Sequence, residues 1–110
     1  SGGRSSVRQA SRGMRVVLSR FALAELDEIL AYIANRSPLG AKNVEARFRN
    51  AFDLIGRHPR GGERIEQRPD VRRLSLVRYP YAVYDEIGAD AVTVLRIMHG
   101  ARQQPWRGGL

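Results

Sequence analysis

The apolar residues of this chain follow two different periods, and the change between them limits the possible folds. Between residues 22 and 55 they recur at three- and four-residue steps, the spacing of one face of a helix. From residue 72 to residue 99 they form short runs separated by turn residues, as strands do. A further apolar run at residues 15–19 predicts an opening strand. The predicted order of elements is therefore β-α-α-β-β-β.

The helical part divides in two at Ser37-Pro38, because serine caps a helix and proline is tolerated at the first helical position. The first helix is predicted to run from residue 22 to about 36, and the second to about 55. The connection between them is short and predicts an antiparallel hairpin. Gly56, Pro59 and the Gly61-Gly62 pair end the second helix, and a polar loop is expected up to Asp70. The second helix is expected to bury the stripe Val44, Phe48, Ala51, Phe52 and Ile55.

Three strands are predicted after this loop, at residues 72–78, 81–87 and 91–99, with turns at Tyr79-Pro80 and at residues 88–90. The last strand is apolar on both sides, which indicates an internal position in the sheet. Alternation places Tyr81 and Tyr84 on opposite faces. The expected fold class is α+β, with the helical hairpin packed over one face of a small, mainly antiparallel sheet.

Length and composition limit the domain organisation. A chain of 110 residues that is 43% hydrophobic can build one small core, so residues 14–110 are predicted to form one domain with a C-terminal tail from about residue 103. Residues 1–13 are rich in Gly, Ser and Arg, which indicates a disordered extension or an expression-tag remnant. Cysteine is absent and no apolar signal or membrane segment is apparent, so we expect a soluble, cytoplasmic protein.

The chain is basic, with a formal net charge of +8 carried by eighteen arginines and one lysine, Lys42. Leaving out the three arginines of residues 1–13 still gives +5. The guanidinium group is a rigid fork of donors that suits carboxylates and phosphates. This surface is therefore suited to nucleic acid, to an enzyme that acts on nucleic acid, or to an acidic protein segment. The alternative is an ordinary solvated surface.

The last predicted strand ends in His99-Gly100-Ala101-Arg102, which offers either an acid/base group with a phosphate clamp or a positively charged contact surface. A ribonuclease would need proton-transfer groups and cations around one phosphate. The candidates for this set are His99, Tyr84, Arg72, Arg73 and Arg102. A histidine at a strand end is also a common structural residue. Two histidines and no cysteine make a metal site improbable, and no loop of a cofactor-binding type is present, so no cofactor is expected.

Several short motifs follow one another along the chain in a fixed order. They are Ala-Leu-Ala-Glu-Leu-Asp-Glu-Ile at 22–29, Ser37-Pro38, Val71-Arg72-Arg73-Leu74, Tyr84 and His99-Gly100-Ala101-Arg102. With these motifs in this order, the chain resembles the ParE branch of the RelE/ParE toxin superfamily from residue 15 to about 104. The resemblance implies a type II toxin, or plasmid stabilisation protein, that a ParD-like antitoxin holds inactive in a hetero-oligomeric complex.

Members of this superfamily have one of two different activities. RelE-like members cut mRNA on the ribosome, whereas ParE-like members inhibit DNA gyrase and have no hydrolytic site of their own. The lysine pattern of the nucleases is missing here, which favours gyrase inhibition. A ribosome-dependent mRNA endonuclease and a non-toxic antitoxin-binding module remain as alternatives. The predicted target-binding residues are Arg72, Arg73, Arg78, His99, Arg102 and Trp106. The predicted antitoxin-binding residues are Leu23, Leu30, Phe48 and Phe52.

Overall fold

Two helices and five strands follow one another in residues 13–99, the part of the chain that the computed structural model describes. The predicted N-terminal extension up to residue 12, the C-terminal tail, Arg102 and Trp106 lie outside the described residues. The elements are β1 (Arg15–Leu18), α1 (Arg20–Arg36), α2 (Pro38–Arg57), β2 (Glu63–Ile65), β3 (Arg68–Ser75), β4 (Tyr81–Ile87) and β5 (Ala91–His99).

Serine residues begin both helices. The Ser19 hydroxyl accepts a hydrogen bond from the Ala22 amide at 3.0 Å, so α1 starts at Arg20, two residues before the predicted start. The Ser37 hydroxyl accepts one from the Gly40 amide at 2.9 Å, with Pro38 in the first position of α2 as predicted. Each cap satisfies a backbone donor that the helix itself leaves unpaired. Neither helix of the described region is long and apolar enough to cross a membrane.

The five strands form one sheet in the order β1-β5-β4-β3-β2. Strand β1 is parallel to β5, and the other neighbouring pairs are antiparallel. The prediction that the last strand is internal is confirmed, since β5 lies between β1 and β4. Val17 of β1 is 43% exposed, because β1 is an edge strand with one open face.

Two predictions for the region between α2 and β4 were wrong. Strand β2 lies within the predicted polar loop, because its three residues show no apolar alternation and are ordered by pairing with β3. Strand β3 covers Arg68–Ser75 and ends three residues before the predicted boundary. The turn that follows contains Arg78 at a φ of 73° and closes through a 2.9 Å hydrogen bond from the Leu76 amide to the Tyr81 carbonyl.

The hydrophobic core is divided by the sheet. The larger cluster lies between the helical hairpin and one face, called here the helix face, and includes Phe48, Val83 and Ile97. A smaller cluster on the opposite face packs Leu95 and Met98 against Ile65, Val71, Ala82 and Tyr84. Tyr81 packs with the first cluster and Tyr84 with the second, which confirms that these tyrosines lie on opposite faces.

The end of α2 crosses the start of β1 at very short range. The Met14 amide donates a 2.8 Å hydrogen bond to the Gly56 carbonyl. A Cβ atom at Gly56 would lie 2.8 Å from the Met14 carbonyl oxygen and 3.1 Å from a methyl group of Val16. A residue without a side chain is therefore required at this crossing.

Candidate functional site

A row of aromatic rings leads from the core to the end of the sheet where β5 finishes. The Phe48 ring lies 6.1 Å from Phe52 and 5.9 Å from Tyr81. Tyr81 in turn meets His99 edge-on, with ring centroids 5.8 Å apart. Arg78 lies in the turn before β4, at the same end of the sheet. Of the predicted target-binding residues, Arg78 and His99 are thus both exposed at this end of the sheet.

The structure does not bring the strand arginines to that surface. Tyr81 lies opposite His99, whereas Asp85 lies opposite Arg72. Four residues separate Tyr81 from Asp85 along β4, which is about 13 Å at about 3.3 Å per residue. The guanidinium of Arg72 and the imidazole of His99 therefore belong to different parts of the sheet.

The two neighbouring arginines also face opposite sides of the sheet. Arg72 lies in register with Asp85 on the helix face, and Arg73 lies in register with Tyr84 on the other. Arg73 forms a 3.3 Å ion pair with Glu63 of β2. Tyr84 is only 3% exposed, so burial excludes it as a surface proton-transfer group. The proposed nuclease set is therefore divided between two faces.

Asp85 is the one buried acidic residue among those described, and the sequence analysis missed it. Its side chain is 2% exposed, and Oδ1 has no hydrogen-bond partner. Burial raises the pKa of Asp85 from its ordinary value of 3.8 to about 7, and the positive charge of Arg72 opposes the rise. A signal was present in the sequence, since strict alternation along β4 places residue 85 on the same face as Val83 and Ile87.

A second polar arrangement covers the part of β5 that extends beyond β1. The Ser19 hydroxyl donates to the Leu95 carbonyl at 2.8 Å, and Glu25 on α1 accepts a hydrogen bond from the Ile97 amide at 2.7 Å. The same carboxylate binds Arg96, whose Nε lies 2.9 Å from Oε2. An irregularity in the pairing of β4 with β5 occurs next to Arg96. These contacts occupy backbone groups that a free strand edge would expose.

The outer surface of the helical hairpin is partly apolar. Leu23 is 51% exposed, and Leu30 and Phe52 are partly buried. Phe48 is only 1% exposed, so this member of the predicted antitoxin-binding set supports the surface from inside and does not form it. Four other exposed apolar residues of the helices were not predicted, because they lie outside the buried stripes. These are Phe21, Tyr32, Leu39 and Leu54.

Within residues 13–99, no three His, Cys, Asp or Glu side chains are grouped so that they could hold a metal ion. The described site therefore consists of a basic and aromatic sheet end, a buried carboxylate and a partly apolar hairpin surface.

Comparisons with known proteins identify the family. The sequence model of the ParE toxin of the type II toxin–antitoxin system, parDE, matches residues 16–104. The protein Y4kP of Sinorhizobium fredii is 38% identical over 84 residues, which are 76% of this chain and 85% of that protein. Toxin RelE2 of Caulobacter vibrioides is 33% identical over 88 residues, which are 80% of this chain and 97% of that toxin.

A solved structure has the same fold. A chain from the chromosomal ParDE toxin–antitoxin system of P. aeruginosa superposes with a TM-score of 0.69 at 23% identity. The superposition covers 80% of this chain and 97% of the other. It confirms the predicted α+β class, and the match to the family model confirms the resemblance seen in the sequence. The chain belongs to the ParE toxin family of type II toxin–antitoxin systems.

Proposed function

We propose that this toxin inhibits DNA gyrase by direct protein contact and that a ParD-like antitoxin neutralises it. The observation that supports the proposal is the division of the nuclease candidates. Arg72 and Arg73 face opposite sides of the sheet, and Tyr84 is buried. Acid, base and cation must all lie within reach of one phosphate for RNA cleavage. A contact inhibitor needs only an accessible complementary surface.

The exposed sheet end offers such a surface. His99 lies there beside the ring of Tyr81, Arg78 is in the turn that precedes β4, and the chain as a whole carries a charge of +8. Arginine and aromatic residues are enriched where protein interfaces hold their partners most strongly. The resemblance to ParE toxins supports gyrase as the partner, and that target would place the toxin in the cytoplasm.

The outer surface of the hairpin is the proposed antitoxin site. Leu23 is half exposed, and Leu30 and Phe52 offer further apolar area beside it. An amphipathic helix could lay its apolar face over these residues. The positive charge of the toxin favours an acidic partner. We expect the isolated toxin to be poorly soluble until this surface is covered.

A gyrase supercoiling assay tests the target directly. Purified toxin is expected to inhibit supercoiling, and Arg78→Glu is expected to weaken the inhibition by about tenfold, equivalent to one charged contact of about 1.4 kcal/mol. Arg15→Glu is the matched control, because Arg15 is an exposed arginine that pairs with Ala91, at the end of β5 opposite to His99. Normal supercoiling at saturating toxin would refute gyrase as the target.

One observation favours the ribosome-dependent endonuclease as a second candidate. His99 is exposed at the same end of the sheet as Arg78, and the chain is 33% identical to a protein named Toxin RelE2. This function predicts codon-positioned cleavage of mRNA in a translation reaction, and the cleavage should disappear in His99→Ala. Induction in cells separates both functions from a non-toxic binding module, for which no growth defect is expected.

A further inference from the structure

Arginine is concentrated in the paired strands β2 and β3 and in the loop before them. Residues 57–73 contain six arginines and three acidic residues. Arg64 of β2 lies directly opposite Arg72 of β3, so both side chains are on the same face of the sheet. The Cα atoms of such a pair are about 5 Å apart, and like charges in this position destabilise the pairing of the strands. The fold therefore holds two guanidinium groups side by side against their mutual repulsion.

The acidic residues of the described region do not balance this pair. Arg64 and Arg72 form no ion pair within residues 13–99. Asp85 lies in register with Arg72, but it is only 2% exposed, and burial raises its pKa to about 7, so it is only partly charged at neutral pH. Glu63 is paired with Arg73 on the other face. The two guanidinium groups are thus available to an anion from outside the chain.

Two further arginines lie close to this pair. Arg60 is exposed in the loop before β2, and a Cβ atom at Gly62 in the same loop would lie 3.3 Å from the Arg72 Cβ. Arg68 is exposed and pairs with Ile65, the residue that follows Arg64. Neither Arg60 nor Arg68 forms an ion pair with another described residue. The four residues are called here the arginine cluster: Arg60, Arg64, Arg68 and Arg72.

The surroundings of the arginine cluster are polar. No large apolar side chain between residues 55 and 76 is exposed. Protein–protein interfaces have an apolar centre, whereas interfaces with DNA are more polar and much more positively charged. The planar fork of the guanidinium group also matches the geometry of a phosphate group. These properties favour a nucleic acid over an acidic protein as the partner.

The absence of aromatic residues favours a duplex over a single strand. No Phe, Tyr or Trp occurs between residues 53 and 78. Proteins that bind single strands stack the bases on aromatic side chains. The backbone of a duplex is bound without such rings, by arginine and lysine side chains and by backbone N–H groups.

We propose that the arginine cluster binds the phosphate backbone of duplex DNA, independently of the base sequence. The choice of DNA over duplex RNA rests on the proposed function, because gyrase acts on DNA, whereas the cluster and its chemistry do not depend on it. A toxin held on DNA in this way would be concentrated near a target that is bound to the same DNA.

Fluorescence anisotropy with two short DNA duplexes of unrelated sequence tests the proposal on the full chain. Both duplexes should bind with the same affinity, within about twofold. Arg64→Gln is expected to weaken both by about tenfold, the effect of losing one hydrogen bond to a charged group. It should also reduce the slope of log affinity against log salt concentration by about 0.9, the value for one phosphate contact.

A matched control separates this contact from the general charge of the chain. Arg15→Gln removes the same charge from β1, at the opposite edge of the sheet, and should leave the affinity and the slope unchanged. The combined replacement of Arg60, Arg64 and Arg68 by Gln should reduce the slope by about 2.7. Thermal unfolding checks that each variant is folded, and Arg64→Gln should be no less stable, because the repulsion from Arg72 is removed.

Four outcomes would overturn the proposal. Equal weakening by Arg15→Gln would show attraction by net charge alone, and tighter binding of a short oligothymidylate would indicate a single-strand site. Displacement of the duplex by polyglutamate at an equal concentration of charge would indicate an acidic protein partner. Tighter binding of an RNA duplex would exclude DNA as the preferred ligand. Gyrase is absent from these measurements, so their failure leaves the gyrase proposal intact, and normal supercoiling in the gyrase assay would leave the DNA contact intact.

Discussion

Glu25 of α1 and Arg96 of β5 are 71 residues apart in sequence, yet a single carboxylate joins the helix to the strand. Its Oε2 accepts from Arg96 Nε at 2.9 Å, and its Oε1 accepts from the Ile97 amide at 2.7 Å. The side chains of Glu25 and Arg96 are 21% and 31% exposed, so water screens the pair only in part. This contact fixes α1 against the half of β5 that extends beyond β1.

Replacement of Glu25 tests the contribution of this contact to stability. Glu25→Ala removes the acceptor of both donors and is expected to lower the free energy of unfolding by about 2–3 kcal/mol. Glu25→Gln keeps one acceptor oxygen and should lose about 1 kcal/mol. Urea denaturation measures both. Glu28→Ala, at an exposed residue of the same helix, is the control and should change stability by less than about 0.5 kcal/mol. Equal effects at positions 25 and 28 would contradict the assignment.

Asp85 should make stability depend on pH. Its pKa in the folded chain is about 7, above its ordinary value of 3.8, so the folded state holds the proton more tightly. The contribution of the protonated Asp85 carboxyl to the free energy of unfolding has its full value below about pH 4. This contribution falls as the pH rises toward 7. Asp85→Asn removes the ionisable group and is expected to be the more stable protein at pH 8, by about 1–4 kcal/mol at about 1.4 kcal/mol per pKa unit.

The measurement is the difference in unfolding free energy between the wild-type protein and Asp85→Asn from pH 4 to pH 8. The difference should be smallest at the acidic end and grow through the range between the two pKa values. Asn43→Ala, at an exposed and non-ionisable residue of α2, should give a difference that does not change with pH. A wild-type protein more stable than Asp85→Asn at pH 8 would show that the carboxylate is stabilising.

Gly56 should not tolerate a methyl group. Alanine normally favours a helix by about 1 kcal/mol over glycine. At position 56, however, the new Cβ would lie 2.8 Å from the Met14 carbonyl oxygen, so Gly56→Ala is expected to lower stability by about 1–3 kcal/mol. Thermal unfolding measures the change, and Ala46→Gly, at an exposed position of α2, measures the propensity alone. A stabilised Gly56→Ala protein would show that β1 can move away.

Substitutions at Leu23 and Phe48 should distinguish an effect on antitoxin binding from an effect on folding stability. Leu23 is 51% exposed, so Leu23→Gln should change the free energy of unfolding by less than about 0.5 kcal/mol while reducing antitoxin affinity and improving solubility. Phe48 is 1% exposed, and Phe48→Ala should lower stability by about 3–5 kcal/mol. Denaturation and calorimetric titration with the antitoxin provide the two readouts. Unchanged antitoxin affinity in Leu23→Gln would place the antitoxin elsewhere.

Local patterns in the sequence were enough to predict both helices, the break at Ser37-Pro38 and the internal position of β5, since each depends on neighbouring residues. Strand β2 was missed because three residues carry too little pattern, and its order comes from pairing with β3. The positions of the charged residues relative to one another were predicted less well. Arg72 and His99 were grouped in one predicted site, but their partners on β4, Asp85 and Tyr81, are four positions apart. Only the strand register shows this separation.

The sequence by itself determined the order of elements apart from β2, the basic charge and the family, because periodicity, composition and motifs are properties of the chain alone. The tertiary structure decided which charged residues are neighbours in space. Arg64 lies opposite Arg72, and Asp85 lies buried beside them, because strand register brings distant residues into one row. Glu25 reaches Arg96 only because α1 packs over β5. Strand register and hydrogen bonds join residues that are remote in sequence, so no local pattern could have shown which of them are neighbours.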